Sequence, residues 1–74
     1  MSQTKILSEL NAMVWKIEVA TAQRVATGDT LIVLESMKME IPVEAPVAGF
    51  IAEIHVAPND QVNEGDLIAL IQPS

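Results

Sequence analysis

Apolar and polar residues alternate along most of this chain, in short runs punctuated by Gly, Asp, Asn and Pro. Trp15, Ile17 and Val19 alternate with Lys16 and Glu18, a period of two that belongs to a strand. Ser8 to Ala20 is the nearest approach to an amphipathic helix, and that same alternation argues against one. Val, Ile and Thr are frequent, with turn residues every eight to twelve positions, so the pattern predicts many short strands in a sandwich or barrel. Val14 and Ile51 are apolar but out of phase with their neighbours, which predicts a bulge in each of two long strands. In this phase Trp15 is assigned to the core. Pro42, Pro46, Pro58 and Pro73 are expected at edges or turns, where no ladder donor is lost.

The pattern repeats at a constant offset of 37 residues. Ile17 matches Ile54, Val19 matches Val56, Ala20 matches Ala57 and Val25 matches Val62; Gly28-Asp29 then matches Gly65-Asp66. Similar pairs extend it, among them Ile6 with Val43, Met13 with Phe50, Val14 with Ile51, Leu31 with Ile68 and Leu34 with Ile71. No gap is needed. The chain is expected to be a duplicated half-barrel with about four strands per half, the two halves burying one face of each against the other across a pseudo-dyad. Each half should hold a strand before Met13 or Phe50, a longer one through Ile17 or Ile54, a short one at Val25 or Val62, and a last one at Leu31–Glu35 or Ile68–Gln72. Gly28, Pro46, Gly49 and Gly65 are read as turn and packing residues, and Asp29 and Asp66 as turn-stabilising acceptors.

One stretch departs from good local chemistry. Between Leu31-Ile32-Val33-Leu34 and Ile41-Pro42-Val43 lies Glu35-Ser36-Met37-Lys38-Met39-Glu40, where Gly, Asn or Asp would ordinarily make the turn. Two methionines around one lysine put polarizable apolar side chains where water is the default neighbour. By the repeat, Lys38 falls opposite the free ends of the chain, so it is expected at one tip with both termini at the other.

Composition removes several alternatives. Seventy-four residues make a single domain (1–74), able to bury only about 60% of its unfolded surface. There is no cysteine and one histidine, His55, so neither a disulfide framework nor a thiolate or multi-histidine metal site is available. The net charge of −6 and the scattered Lys5, Lys16, Arg24 and Lys38 give no nucleic-acid footprint. No aliphatic run approaches a membrane span and Met1 to Lys5 does not form a signal pattern, so a cytoplasmic protein is the expectation. No Ser, Cys or paired-carboxylate constellation accompanies His55, so no catalytic residue is assigned.

With these residues in view, the Met37-Lys38-Met39 hairpin resembles the attachment site of biotinyl carrier domains. Ala45-Pro46-Val47-Ala48-Gly49-Phe50-Ile51 is similar to that family's Ala-Pro-x-x-Gly-x-Val stretch, and Val62-Asn63-Glu64-Gly65-Asp66-Leu67-Ile68 to its Val-x-x-Gly-Asp-x-Leu turn and strand. The likeness runs from about Ile6 to Ile71. Departures are Leu10-Asn11-Ala12-Met13, where the family usually has Pro or Gly, and Ala22-Gln23 and Asn59-Asp60, where a Gly-Asp turn is common.

The resemblance implies an all-β flattened barrel, or barrel-sandwich hybrid, of two four-stranded antiparallel sheets with an internal pseudo-two-fold. It implies a non-catalytic carrier: a biotin protein ligase joins biotin to Lys38 as an amide, a biotin carboxylase loads the ring, and a carboxyltransferase unloads it. Tethering turns two diffusive encounters into intramolecular ones. Met37 and Met39 are read as flanking recognition residues, with inward tucking of one of them as the alternative, since strand alternation puts both opposite Lys38. Glu35, Glu40 and Glu44 make the tip acidic. The isolated chain is expected to be monomeric. A lipoyl carrier is the rival, disfavoured because lipoyl sites usually place Asp before the lysine and a small residue after it; an unmodified interaction module is the third reading.

Overall fold

The computed structural model describes residues 3–73, and every regular element among them is a strand. Two apolar inner strands set the layers. β4 (Thr30–Ser36) carries Leu31 to Leu34 and β8 (Leu67–Pro73) carries Leu67 to Ile71, runs that suit strands flanked on both edges. Beside β8 lie β1 (Thr4–Leu7), β6 (Gly49–Ile54) and β3 (Arg24–Val25), in the order β1-β8-β6-β3. Beside β4 lie β5 (Met39–Glu44), β2 (Ala12–Ile17) and β7 (Gln61–Val62), in the order β5-β4-β2-β7. Both sheets are antiparallel throughout. They remain two separate layers, so the fold is a sandwich and not a closed barrel. The edges explain this: β3 and β7 have two residues each, and β5 presents Pro42, which has no N–H to give.

The repeat of 37 residues maps this architecture onto itself. Shifted by it, β2, β3 and β4 coincide end to end with β6, β7 and β8, and β1 falls within β5. The sheet order β1-β8-β6-β3 becomes β5-β4-β2-β7, so the pseudo-dyad exchanges the sheets. One expectation needs correction here. The halves do not each build a sheet and stack; each sheet takes two strands from each half. The turns at 20–23 and 26–29 carry the chain out of one layer and back, so β3 pairs with β6 of the other half.

Those turns are one device used four times. Gln23, Asp29, Asp60 and Asp66 each donate a backbone N–H to the carbonyl three residues earlier, at 2.9–3.1 Å. The same four side chains accept the N–H of that earlier residue, at 2.8–3.0 Å. The third residue of each turn is left-handed: Ala22 (φ 74°), Gly28 (92°), Asn59 (74°) and Gly65 (91°), as a type II turn requires. Asp29 and Asp66 thus act as expected, and Ala22-Gln23 and Asn59-Asp60 reproduce the Gly-Asp geometry without glycine.

The core follows the dyad too. Val14 and Ile51, Val25 and Val62, Leu31 and Ile68, and Leu34 and Ile71 are paired across it and buried together. Each contributes roughly 1.5–3 kcal/mol of burial. Buried Ser8 and its counterpart Ala45 each tie a loop to a Gly-Asp turn through two backbone hydrogen bonds. Gly49 lies against the backbone of Gln72 and Pro73, which leaves no room for a Cβ.

Trp15 is not in the core. It is 43% exposed, while Val14 beside it is fully buried. The expected bulges are present, with register shifts between Val14 and Lys16 and between Ile51 and Glu53. They reverse the phase within each strand, so Ala12 and Val14 face inward before the bulge and Ile17 after it. Trp15 falls on the outer side, where Lys16 Nζ sits 4.8 Å from its ring centroid.

Candidate functional site

β4 and β5 run side by side from Thr30↔Glu44 to Ser36↔Met39, and Met37 and Lys38 alone close the hairpin. Both are left-handed, at φ 52° and 65°. A two-residue loop with positive φ at both positions is a type I′ turn, the form whose twist matches that of its strands and which Asn-Gly fills best. With Met and Lys there, the conformation costs about 1–2 kcal/mol per residue. The ladder of β4 with β5 offsets that cost, so the turn holds its shape although its own residues resist it.

The geometry throws the side chains outward. Met37 is 91% exposed and Met39 61%, so neither tucks into the core. Alternation did not apply to Met37 because it belongs to the turn and not to a strand. Lys38 is exposed, and among the described residues no carboxylate stands within ion-pair distance of its Nζ. Lys16, by contrast, pairs with Glu18 at 3.6 Å, and Lys5 lies inside β1 opposite Leu70.

The hairpin stands on a rigid base. Behind it runs the row Gln61–Met13–Glu35–Glu40, each residue directly opposite the next across β7, β2, β4 and β5. Asn11 Oδ1 accepts the Glu64 N–H at 2.7 Å, Ser8 N–H donates to the Asp66 carbonyl, and Gly65 N–H donates to the Ser8 carbonyl. Ser8 Oγ donates to the Leu10 carbonyl at 2.6 Å, so the buried hydroxyl is satisfied. The molecule measures 35 × 18 × 17 Å. The other end of the β4–β5 ladder leads through Ala45 to Gly49, which pairs with Pro73, and Thr4 pairs with Ile71 in the same sheet. The expectation for the chain ends themselves falls on residues 1, 2 and 74, outside the described residues.

Such a site offers a primary amine on a flexible stem, away from neutralising partners and presented by a fixed turn. That suits acceptance of an acyl group, and biotin is attached by its carboxyl, so the residues present fit it. Elsewhere, His55 Nε2 lies 2.8 Å from Glu53 on the exposed surface. Among the described residues no group of three or more His, Cys, Asp or Glu is placed to hold a metal ion. No helix among them is long and apolar enough to cross a membrane. The sequence misplaced Trp15, and the repeat held the missing signal: its counterpart is Ala52, and no core position needs Trp in one half and Ala in the other.

Comparison with known proteins finds relatives that match most of this chain. The family model described as "Biotin-requiring enzyme" matches residues 5–71. The "Biotinylated protein TB7.3 homolog" of Mycobacterium leprae is 44% identical over 66 residues, covering 89% of this chain and 93% of that protein. The "Biotin/lipoyl attachment protein" of Bacillus subtilis is 41% identical over 54 residues, 73% of this chain and 74% of its own. Among solved structures, the urea carboxylase of Kluyveromyces lactis superposes with a TM-score of 0.92 at 33% identity, over 97% of this chain and 6% of that one.

Proposed function

This chain belongs to the biotin-requiring enzyme family, and from that premise we propose that Lys38 is the residue on which it carries biotin. It is a biotin carrier domain, a non-catalytic component that works with the parts of a biotin-dependent carboxylase. The observation that carries the assignment to Lys38 is its position: an exposed amine on a two-residue turn with positive φ at both residues, flanked by two outward methionines.

Lys38 does one chemical thing. Its Nζ, as the neutral amine, attacks the activated carboxyl carbon of biotin held by a biotin protein ligase; the amide forms, the activating group leaves, and the nitrogen gives up a proton. The side chain thereby loses its charge. Biotin, once bound, supplies a ureido nitrogen that takes up and releases a carboxyl group. Met37 and Met39 give the ligase an apolar, adaptable surface on each side of the amine. The turn points the arm away from the body of the domain and leaves it free to enter a biotin carboxylase and then a carboxyltransferase. The gain is effective concentration. In this reading residues 1–74 act as one biotinyl domain, monomeric in isolation and working in the cytoplasm.

The test is the intact mass of the protein made in cells supplied with biotin and an active ligase, followed by peptide mapping. One biotin adduct on Lys38, lost in Lys38→Arg, is expected. Attachment retained in Lys38→Arg moves the acceptor to Lys5 or Lys16, and an unmodified wild-type chain overturns the assignment. A lipoyl adduct in place of biotin would favour the rival carrier, against the two methionines that flank the lysine.

A further inference from the structure

The fold contains its own control. Because the pseudo-dyad exchanges the two sheets, every residue on the outer face of one has a counterpart on the outer face of the other. Positions that serve only the fold should match in kind, and most do. The outer face beside Lys38 keeps apolar residues at Met13 and Val33 but departs at Trp15, Pro42, Glu35 and Glu40.

On that face, Met13 and Trp15 project from β2, Val33 from β4 and Pro42 from β5; Lys16 and Pro42 both stand opposite Val33. Val33 is only 8% exposed yet lies outside the buried core cluster, so its cover comes from the outer face. Trp15 and Met13 remain about two-fifths exposed, at 43% and 40%. Glu35 and Glu40 flank this patch on the side of the hairpin. The counterparts in the other sheet are Phe50, Ala52, Leu70 and Lys5, with Gln72 and Gln3 in place of the two glutamates. Trp against Ala, and paired acids against amides, are differences the fold does not require.

Size argues the same way. A specific protein–protein interface takes about 800 Å² from each partner, a disc of roughly 16 Å radius. The two residues of the turn cannot supply it. An enzyme that reacts with Lys38 Nζ must centre its footprint within one lysine's length of the tip. Val33 lies four strand positions behind Met37, roughly 13 Å at about 3.3 Å per residue, and so falls inside that disc.

We propose that the outer face of the β5-β4-β2-β7 sheet, centred on Trp15 with Met13, Val33 and Pro42, is the docking surface for the ligase that acylates Lys38. The complementary partner surface is an apolar pocket for the indole with a basic rim opposite Glu35 and Glu40. Trp15 has the features of an interface anchor: a large, stiff side chain, half-presented, with Lys16 Nζ 4.8 Å from its ring centroid. The glutamates act at longer range, steering encounter more than holding the complex.

This inference rests on Lys38 as the acceptor, and the experiment separates the two. Initial rates of biotin incorporation by a purified ligase with ATP are measured over a range of carrier concentrations. The carriers are wild type, Trp15→Ala and, as the control for an exposed aromatic on the outer face of the other sheet, Phe50→Ala, each first checked for cooperative thermal unfolding. Trp15→Ala is expected to lower kcat/KM about tenfold, through KM, with Phe50→Ala within roughly twofold of wild type. Should Trp15→Ala not fold, Met13→Glu against Phe50→Glu makes the same comparison at exact counterparts, with the loss expected only for Met13→Glu. No effect of the Trp15 or Met13 variant, or equal effects on both faces, overturns the docking surface. A wild-type chain that accepts no biotin at Lys38 removes the acceptor, and this proposal falls with it.

Discussion

Glu35 and Glu40 face each other directly across the β4–β5 ladder, one step behind the Ser36–Met39 pair that closes the hairpin. Like charges in that position repel, at a cost of about 0.2–1 kcal/mol. Their dyad counterparts are Gln72 and Gln3, so the cost belongs to the Lys38 end alone. Glu40→Gln should therefore raise the stability of the free domain by about 0.5 kcal/mol at low salt, with the gain shrinking as ionic strength rises. Urea unfolding at low and high salt reads both; a gain independent of salt would assign the effect to something other than charge.

Met37 occupies the first left-handed position of the hairpin turn. Met37→Asn should stabilise the domain by about 1 kcal/mol, since Asn tolerates that conformation and favours type I′ turns. The same variant should accept biotin more slowly, because an apolar recognition surface is lost. Thermal unfolding and incorporation rate are expected to move in opposite directions, and a variant that gains both would leave Met37 without a recognition role.

Gly49 has no space for a methyl group, with the Gln72 carbonyl and the Pro73 backbone against it. Gly49→Ala forces β6 from β8 and should cost about 1–3 kcal/mol. Ala12, the counterpart in the other half, already carries the methyl, so the constraint is local to this crossing. A fall in the urea midpoint checks it.

Ala22 pays for a left-handed conformation that Gly28 and Gly65 adopt freely and Asn59 tolerates. Ala22→Gly should stabilise the domain by up to about 1 kcal/mol, the relief exceeding the added freedom of the unfolded chain. An unchanged melting temperature would show that relief and entropy cancel, and a lower one that the entropy of the unfolded chain outweighs the relief.

How far the sequence could be read varied along the chain for physical reasons. The strands were legible because alternation and turn residues are local signals, and the repeat supplied each of them twice. The bulges were legible for the same reason, since Val14 and Ile51 were out of phase in both halves. Their consequence for Trp15 was not. A bulge reverses which side of a strand faces inward, and the sequence does not say on which residue the reversal falls. The alternative of an inward methionine fails in a similar way: it extends alternation by one residue into a turn, where it has no meaning.

The sequence by itself determined the all-β class, the duplication, the two Gly-Asp turns and the lysine between methionines. Each of these is written in residues near one another along the chain, or in a constant offset between them. Only the tertiary structure decided that the halves exchange strands, that the layers stay unclosed, and that Trp15 lies on the outer face beside Lys38. These depend on which distant strand each edge pairs with, and the balance is struck by ladder donors and buried area across the whole molecule.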